Sequence, residues 1–180
     1  ELHYQPFVYF MLNKPAGVVS ATEDTLSKTV VELLNREDYR KDIFPAGRLD
    51  KDTEGFLLLT NDGELAHRLL SPKKHVDKTY FVRLRDALSE EAGTKLETGV
   101  SIGEKKDTRP AKVERVDTDT ILLTIQEGKF HQVKRMLQAV DNQVLYLKRI
   151  TFGGLSLDEG LSPGEYRALS DEEVKLLYDA

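Results

Sequence analysis

The chain has 180 residues, 39% of them hydrophobic and 32% charged, which suits one ordinary globular domain. It has no cysteine, which excludes a disulfide framework or a thiolate metal site and fits a reducing compartment such as the cytoplasm. Its formal charge of −5 speaks at first against a nucleic-acid partner, and no apolar run approaches the roughly 18 residues of a membrane span.

The opening Glu1-Leu2-His3-Tyr4 lacks the basic and apolar segments of a signal peptide, and without an initiator methionine it reads as trimmed from a longer protein. Phe7 to Leu12 is a short apolar run and a predicted strand, broken by Lys14-Pro15-Ala16-Gly17. Ser27 is the expected N-cap of a helix carrying Val30, Val31, Leu33 and Leu34. Phe56 to Thr60 is a buried strand closed by the turn Asn61-Asp62-Gly63, and Glu64 to Leu70 a short helix stopping before Ser71-Pro72. Thr79 to Leu84 alternates as a strand. Ser89-Glu90-Glu91 opens a second helix, with acids suited to its dipole.

Further strands are expected at Ala111 to Val116, Ile121 to Gln126 and Val144 to Phe152, with a helix from Gln132 to Val140. A last helix follows Ser170, where Ser170-Asp171-Glu172-Glu173 has capping-box spacing. The pattern predicts a single α+β domain over 1–180, with about seven strands and four or five short helices. Several connections are too short for helical crossovers, so the sheet should be mixed and largely antiparallel.

The charge is unevenly placed. His67 to Arg85 holds six Lys/Arg (Arg68, Lys73, Lys74, Lys78, Arg83, Arg85) against Asp77. Lys129 to Arg149 holds five (Lys129, Lys134, Arg135, Lys148, Arg149) against Asp141. Leu155 to Ala180 is acidic. The two basic stretches are either a path for a polyanion or ordinary solvated faces.

Three segments could carry chemistry. In Gly47-Arg48-Leu49-Asp50-Lys51-Asp52-Thr53-Glu54-Gly55, a carboxylate sits in a loop beside a buried strand, which can fix its position while leaving it reachable. Asp50, Asp52 and Glu54 imitate the start of a calcium loop, but the twelfth position is Asn61 rather than Glu. In Glu127-Gly128-Lys129-Phe130-His131-Gln132-Val133-Lys134-Arg135-Met136, a strand passes into a helix whose first amides can attract an anion. Lys129, His131, Lys134 and Arg135 add side-chain donors there; an amphipathic helix with a solvated basic face is the alternative. In Lys78-Thr79-Tyr80-Phe81-Val82, Tyr80 could stack on a base or simply fill the core. Phosphate-loop, dinucleotide and nucleophile-elbow motifs are missing, and His3, His67, His75 and His131 lack zinc spacing, so no cofactor or metal is expected.

Taken in order, these segments resemble the ribosomal pseudouridine synthases of the RsuA type. The resemblance runs from Phe10-Met11-Leu12-Asn13-Lys14-Pro15-Ala16-Gly17 through Ala46-Gly47-Arg48-Leu49-Asp50 and Lys78-Thr79-Tyr80. It continues through the 127–136 segment to Leu161-Ser162-Pro163-Gly164-Glu165-Tyr166-Arg167. It implies that Asp50 is the catalytic aspartate, that Tyr80 stacks on the target uracil and that Lys134 pairs with the aspartate, where many relatives carry Arg. Lys lacks the bidentate fork of Arg, so that pairing is expected to be looser. Arg48 matches an arginine that holds the place of the flipped-out nucleotide. Lys14, Lys129, His131, Gln132 and Arg135 are expected to contact RNA.

The segment His131-Gln132-Val133-Lys134-Arg135-Met136 looks closer to enzymes acting on small-subunit (16S) rRNA than to the large-subunit branch. Family members usually carry a small N-terminal RNA-binding domain; 1–180 is read as the catalytic domain without it, a cytoplasmic monomer of reduced RNA affinity. Isomerising uridine involves no redox change, so a chain without cofactor motifs suits it. The target base must leave its stack, and Asp50 must be ionised to act as a nucleophile or to stabilise a sugar cation. The alternatives are a 23S rRNA synthase of the same family, a carboxylate-dependent nuclease or glycosidase using Asp52, and an rRNA-binding assembly factor without activity.

Overall fold

A computed structural model of the chain describes residues 6–180. Its strands are β1 (Tyr9–Lys14), β2 (Phe44–Pro45), β3 (Glu54–Thr60), β4 (Lys78–Leu84), β5 (Lys112–Asp117), β6 (Thr120–Ile125), β7 (Val144–Phe152), β8 (Leu155–Ser156) and β9 (Tyr166–Ala168). The α-helices are α1 (Gly63–Leu70), α2 (Glu90–Thr98), α3 (Gln132–Ala139) and α4 (Asp171–Tyr178).

β3 explains the architecture. Apart from Thr60, its residues after Gly55 are all apolar, so it has no face to offer to water; every residue but Glu54 is buried. Alternation sends Leu57 and Leu59 into one core, with Leu12, Val82 and Leu123. Phe56 and Leu58 enter a second core with Met11, Leu65, Leu69 and Phe152. α2 and α3 cover the first face through Leu96, Val133, Met136 and Leu137. α1 and α4 cover the second through Leu65, Leu69 and Leu177. The result is one sheet between two helical layers, an α+β fold as the sequence predicts.

The sheet order is β5-β6-β4-β7-β3-β1-β9, with β2 paired to β3 and β8 to β7. Every named strand pair is antiparallel except β3 with β7, which meet in parallel at Glu54↔Lys148 and Gly55↔Arg149. That joint needs glycine. Gly55 has φ +113°, and a Cβ there would lie 2.2 Å from the Arg149 carbonyl oxygen.

Three expectations are corrected. Ser27 does not cap a helix: Val30–Leu33 forms one short 3-10 turn, entered at Thr29, whose amide donates to Glu32 Oε2 at 2.6 Å. β1 starts later than Phe7 and runs to Lys14. About seven strands are expected and six of them are placed in the sequence; the sheet has nine, and the three not placed are β2, β8 and β9, of two or three residues each, which exist through pairing rather than through a pattern of their own.

Candidate active site

The loop between β2 and β3 carries Asp50, and its backbone is pinned on both sides of that residue. Leu49 is buried in the first core. Its N–H donates to Ser20 Oγ, and that hydroxyl donates to the Leu49 carbonyl, each at 3.0 Å. The Lys51 carbonyl accepts from Gly17 N–H at 2.8 Å, and Thr53 N–H closes a turn on the Asp50 carbonyl at 3.0 Å.

Lys14 completes the arrangement from below. It is fully buried, and its ammonium donates to the carbonyls of Pro15 (2.8 Å), Lys51 (3.0 Å) and Thr53 (2.7 Å). Burial pushes its pKa down to about 8, against the pull of Asp52, Glu54 and Asp50. Lys14, expected to contact RNA, has all three of its donors engaged inside the protein here, holding the loop.

α3 brings the cations to the carboxylate. Lys134, in its first turn, places Nζ 3.1 Å from Asp50 Oδ2 and 2.7 Å from Asp52 Oδ1. Burial opposes the Lys134 charge, but the two carboxylates outweigh it and raise its pKa. The bond from Lys134 lowers that of Asp52. His131 Nε2 lies 3.4 Å from Asp50 Oδ1. His131 is held in the left-handed region at φ 50°, an uncommon conformation for a non-glycine residue. Gln132 fixes the loop before the helix. Its Oε1 accepts from Lys129 N–H at 3.0 Å and its Nε2 donates to Glu127 Oε1 at 3.1 Å.

The outcome is an open cavity of about 440 Å³ lined by Gly17, Asp50, Lys51, Asp52, His131 and Lys134. The Asp50 side chain is 24% exposed and that of Asp52 74%. Asp50 is thus the shielded carboxylate, with an ammonium on one oxygen and an imidazole near the other. Asp50 and Asp52 converge on an amine, and among the described residues no group of three or more metal-binding side chains is gathered.

A family model for RNA pseudouridylate synthase matches residues 8–139, from the start of β1 to the end of α3. The chain belongs to the RNA pseudouridylate synthase family. This pseudouridylate synthase chain is 60% identical over 178 residues to an uncharacterized RNA pseudouridine synthase, YtzG, of Bacillus subtilis (strain 168), covering 97% of this chain and 74% of that one. It is 45% identical over 167 residues to the ribosomal small subunit pseudouridine synthase A of Escherichia coli (strain K12), covering 92% and 72%. A crystal structure of a pseudouridylate synthase superposes with a TM-score of 0.91 at 43% identity, over 97% of this chain and 75% of that chain.

Within this synthase fold, the residues singled out from sequence divide into two groups. Asp50, His131 and Lys134 come together at the cavity. Arg48 and Lys129 are exposed, and neither side chain is paired among the described residues. Tyr80 does not line the cavity. It is 9% exposed, within the first core, with its hydroxyl beside the guanidinium of its cross-strand neighbour Arg149.

Gln132 and Arg135, expected to contact RNA, are engaged inside the protein in this structure. Gln132 is buried as an internal staple. Arg135 donates to the carbonyls of Phe130 (2.8 Å) and Ile102 and pairs with Glu104 at 3.1 Å.

Sequence reasoning missed Ser20, Asp52 as a second carboxylate on Lys134, and Arg149. Ser20 gives no signal, because its partner is 29 residues away. Arg149 does give one: it shares the strand phase of buried Leu147, so its charge falls where a core residue belongs. It is buried, its Nε donates to the Phe56 carbonyl at 2.9 Å, its guanidinium lies 4.4 Å from the Phe152 ring centroid, and its Nη2 has no hydrogen-bond partner among the described residues.

Proposed function

We propose that the chain isomerises a uridine of 16S rRNA, within the small subunit or an assembly intermediate, and that turnover depends on Asp50. The observation that carries this reading is the Asp50 carboxylate, set in a doubly pinned loop at an open cavity, with Lys134 at 3.1 Å and His131 at 3.4 Å. The 45% identity to the small subunit synthase of Escherichia coli supports 16S rRNA as the substrate. The chain acts as a monomer in the cytoplasm, where ribosomes are assembled.

The reaction breaks the bond from the sugar to ring nitrogen 1, turns the uracil and rejoins it through carbon 5, which loses its proton while nitrogen 1 takes one up. The target nucleotide flips out of its stack, which costs a few kcal/mol that the pocket has to offset. Asp50 serves the glycosidic carbon or the ring as an anionic group, and Lys134 keeps it aimed and charge-compensated in a site that shields it from water. Arg48, exposed beside Asp50, takes the space the nucleotide vacates. Tyr80, which does not line the cavity here, stacks on the uracil only if the site opens onto its ring as the base enters.

The test uses small-subunit particles and 16S rRNA lacking pseudouridine, incubated with the wild-type chain or Asp50→Asn and mapped by mass spectrometry. One new pseudouridine made only by the wild type is expected, with RNA affinity of the variant within about twofold. Turnover by Asp50→Asn near the wild-type rate would remove Asp50 from the mechanism. Product on 23S rRNA alone would move the substrate to the other subunit.

A further inference from the structure

At the cavity mouth the chain holds an apolar ring out in the water. Phe130 is 75% exposed, more than the only other exposed phenylalanine among the described residues, Phe7, at 47%. A single exposed apolar side chain is ordinary, but this one is held in place from several directions. The Phe130 carbonyl accepts from Arg135 Nη1 at 2.8 Å. Gln132 bonds the preceding residue, Lys129, and the following residue, His131, is bent into the left-handed region.

The Phe130 ring stacks on the His131 imidazole, with centroids 3.7 Å apart and planes at 20°. The imidazole reaches Asp50 in turn. Carboxylate, imidazole and phenyl therefore form a row leading out of the cavity. The inner face of the phenyl ring is covered by the imidazole. Its outer face meets solvent, next to the exposed Lys129.

We propose that Phe130 is a stacking platform for an unpaired RNA base neighbouring the target uridine, with Lys129 taking an adjoining phosphate. This rests on the reading of the Asp50 cavity as the uridine site. Flipping one nucleotide unstacks its neighbour, and an aromatic face offered one step from the pocket restores the lost contact. Because every base has such a face, Phe130 contributes affinity and positioning rather than choice of sequence.

The chain contains no tryptophan, so Phe130→Trp places a single emitter at the platform. In-vitro-transcribed 16S rRNA is the probe, titrated into Phe130→Trp and assayed for turnover with wild type, Phe130→Trp and Phe130→Leu. The expected result is quenching of Trp emission on binding and near-wild-type turnover for Phe130→Trp. For Phe130→Leu, which keeps an apolar side chain but lacks the π face, KM should rise about tenfold with kcat little changed.

Emission unchanged at saturating RNA, or a KM for Phe130→Leu equal to wild type, would overturn the platform while leaving the uridine site intact. A fall in kcat at constant KM would also overturn it, because Phe130 would then act only through His131. Quenching without wild-type turnover would keep the stacking contact and reject the isomerase reading. Neither binding nor turnover by wild type would reject both.

Discussion

At the residue scale, the site turns on one amine shared by two carboxylates. Asp52 holds Lys134 by the shorter contact, 2.7 Å against 3.1 Å, but does so in solvent, where an ion pair contributes little. Asp52→Asn should therefore leave kcat within about threefold of wild type. Lys134→Met removes the charge beside Asp50 and should lower kcat by about a hundredfold or more, with KM little changed. Equal losses for the two variants, measured by single-turnover assay, would show that the pair of carboxylates acts as a unit. Lys14 supplies a pH dependence. Its pKa, about 8 when folded, lies below the ordinary lysine value of 10.5, so in that interval the unfolded chain binds the extra proton and stability rises with pH from this group. Turnover should move the other way, since a neutral amine has two N–H groups for three carbonyls and the Asp50 loop loosens. kcat should fall as pH rises through about 8 while the unfolding midpoint does not. Lys78 is also pushed down to about 8, by burial and by Arg149. Lys14→Arg, which keeps its charge, makes the assignment: a decline as steep as wild type in that variant would exclude Lys14. Asp50 and Lys134 were singled out by the resemblance to the family, since their local sequence alone reads equally as a polar turn and a solvated basic helix face. The role of Lys14 was not, because a lysine at a strand end reads as solvated until its carbonyl partners, 37 and 39 residues away, are in place.

At the element scale, β3 decides where Asp50 stands, and Gly55 decides where β3 stands. A side chain there would run into the backbone of β7 and would have to adopt φ +113°. Gly55→Ala should cost about 3 kcal/mol or more in urea unfolding and reduce turnover with it, since Lys14, Lys51 and Thr53 depend on the start of that strand. Gly63→Ala is the contrast. Gly63 opens α1, has ordinary φ and has nothing within 4 Å of where a methyl group would stand, so the change should stabilise by about 0.5 kcal/mol. If the two substitutions shifted stability equally, the parallel β3–β7 joint would not be the constraint described. The same comparison shows what a sequence can declare. β3, β4, β6 and β7 are long runs whose apolar pattern survives without knowledge of their partners. β2, β8 and β9 carry no periodicity in two or three residues, and only the neighbour to which each bonds makes it a strand. The α3 helix was legible from its stripe, whereas the left-handed His131 before it is a product of the whole loop.

At the scale of the molecule, the question is how a chain of net charge −5 approaches a polyanion. The two basic stretches suggested a broad electrostatic path, yet folding engages most of their charges. Lys78 and Arg149 are buried. Arg68 donates to the Tyr178 carbonyl, Arg83 stacks on Tyr146 and Arg85 pairs with Asp86. Lys134 and Arg135 are tied to Asp50, Asp52 and Glu104. Of these stretches, Lys73, Lys74, Lys129 and Lys148 keep side chains unpaired among the described residues. Four phosphate contacts by these lysines correspond to a slope of log K against log salt of about −3 for single-stranded RNA. Full engagement of both stretches would give about −8. Filter binding of the chain to a 16S rRNA transcript between about 50 and 200 mM salt separates the two. A slope near −3 would mean that affinity rests on few phosphates, leaving stacking and the pocket to supply the rest. A slope near about −5 would mean that RNA breaks the internal pairs of Arg83, Arg85 and Arg135 and draws those side chains outward. Arg135→Ala would then reduce the slope by about 1, a change it should not make if Arg135 stays on Glu104.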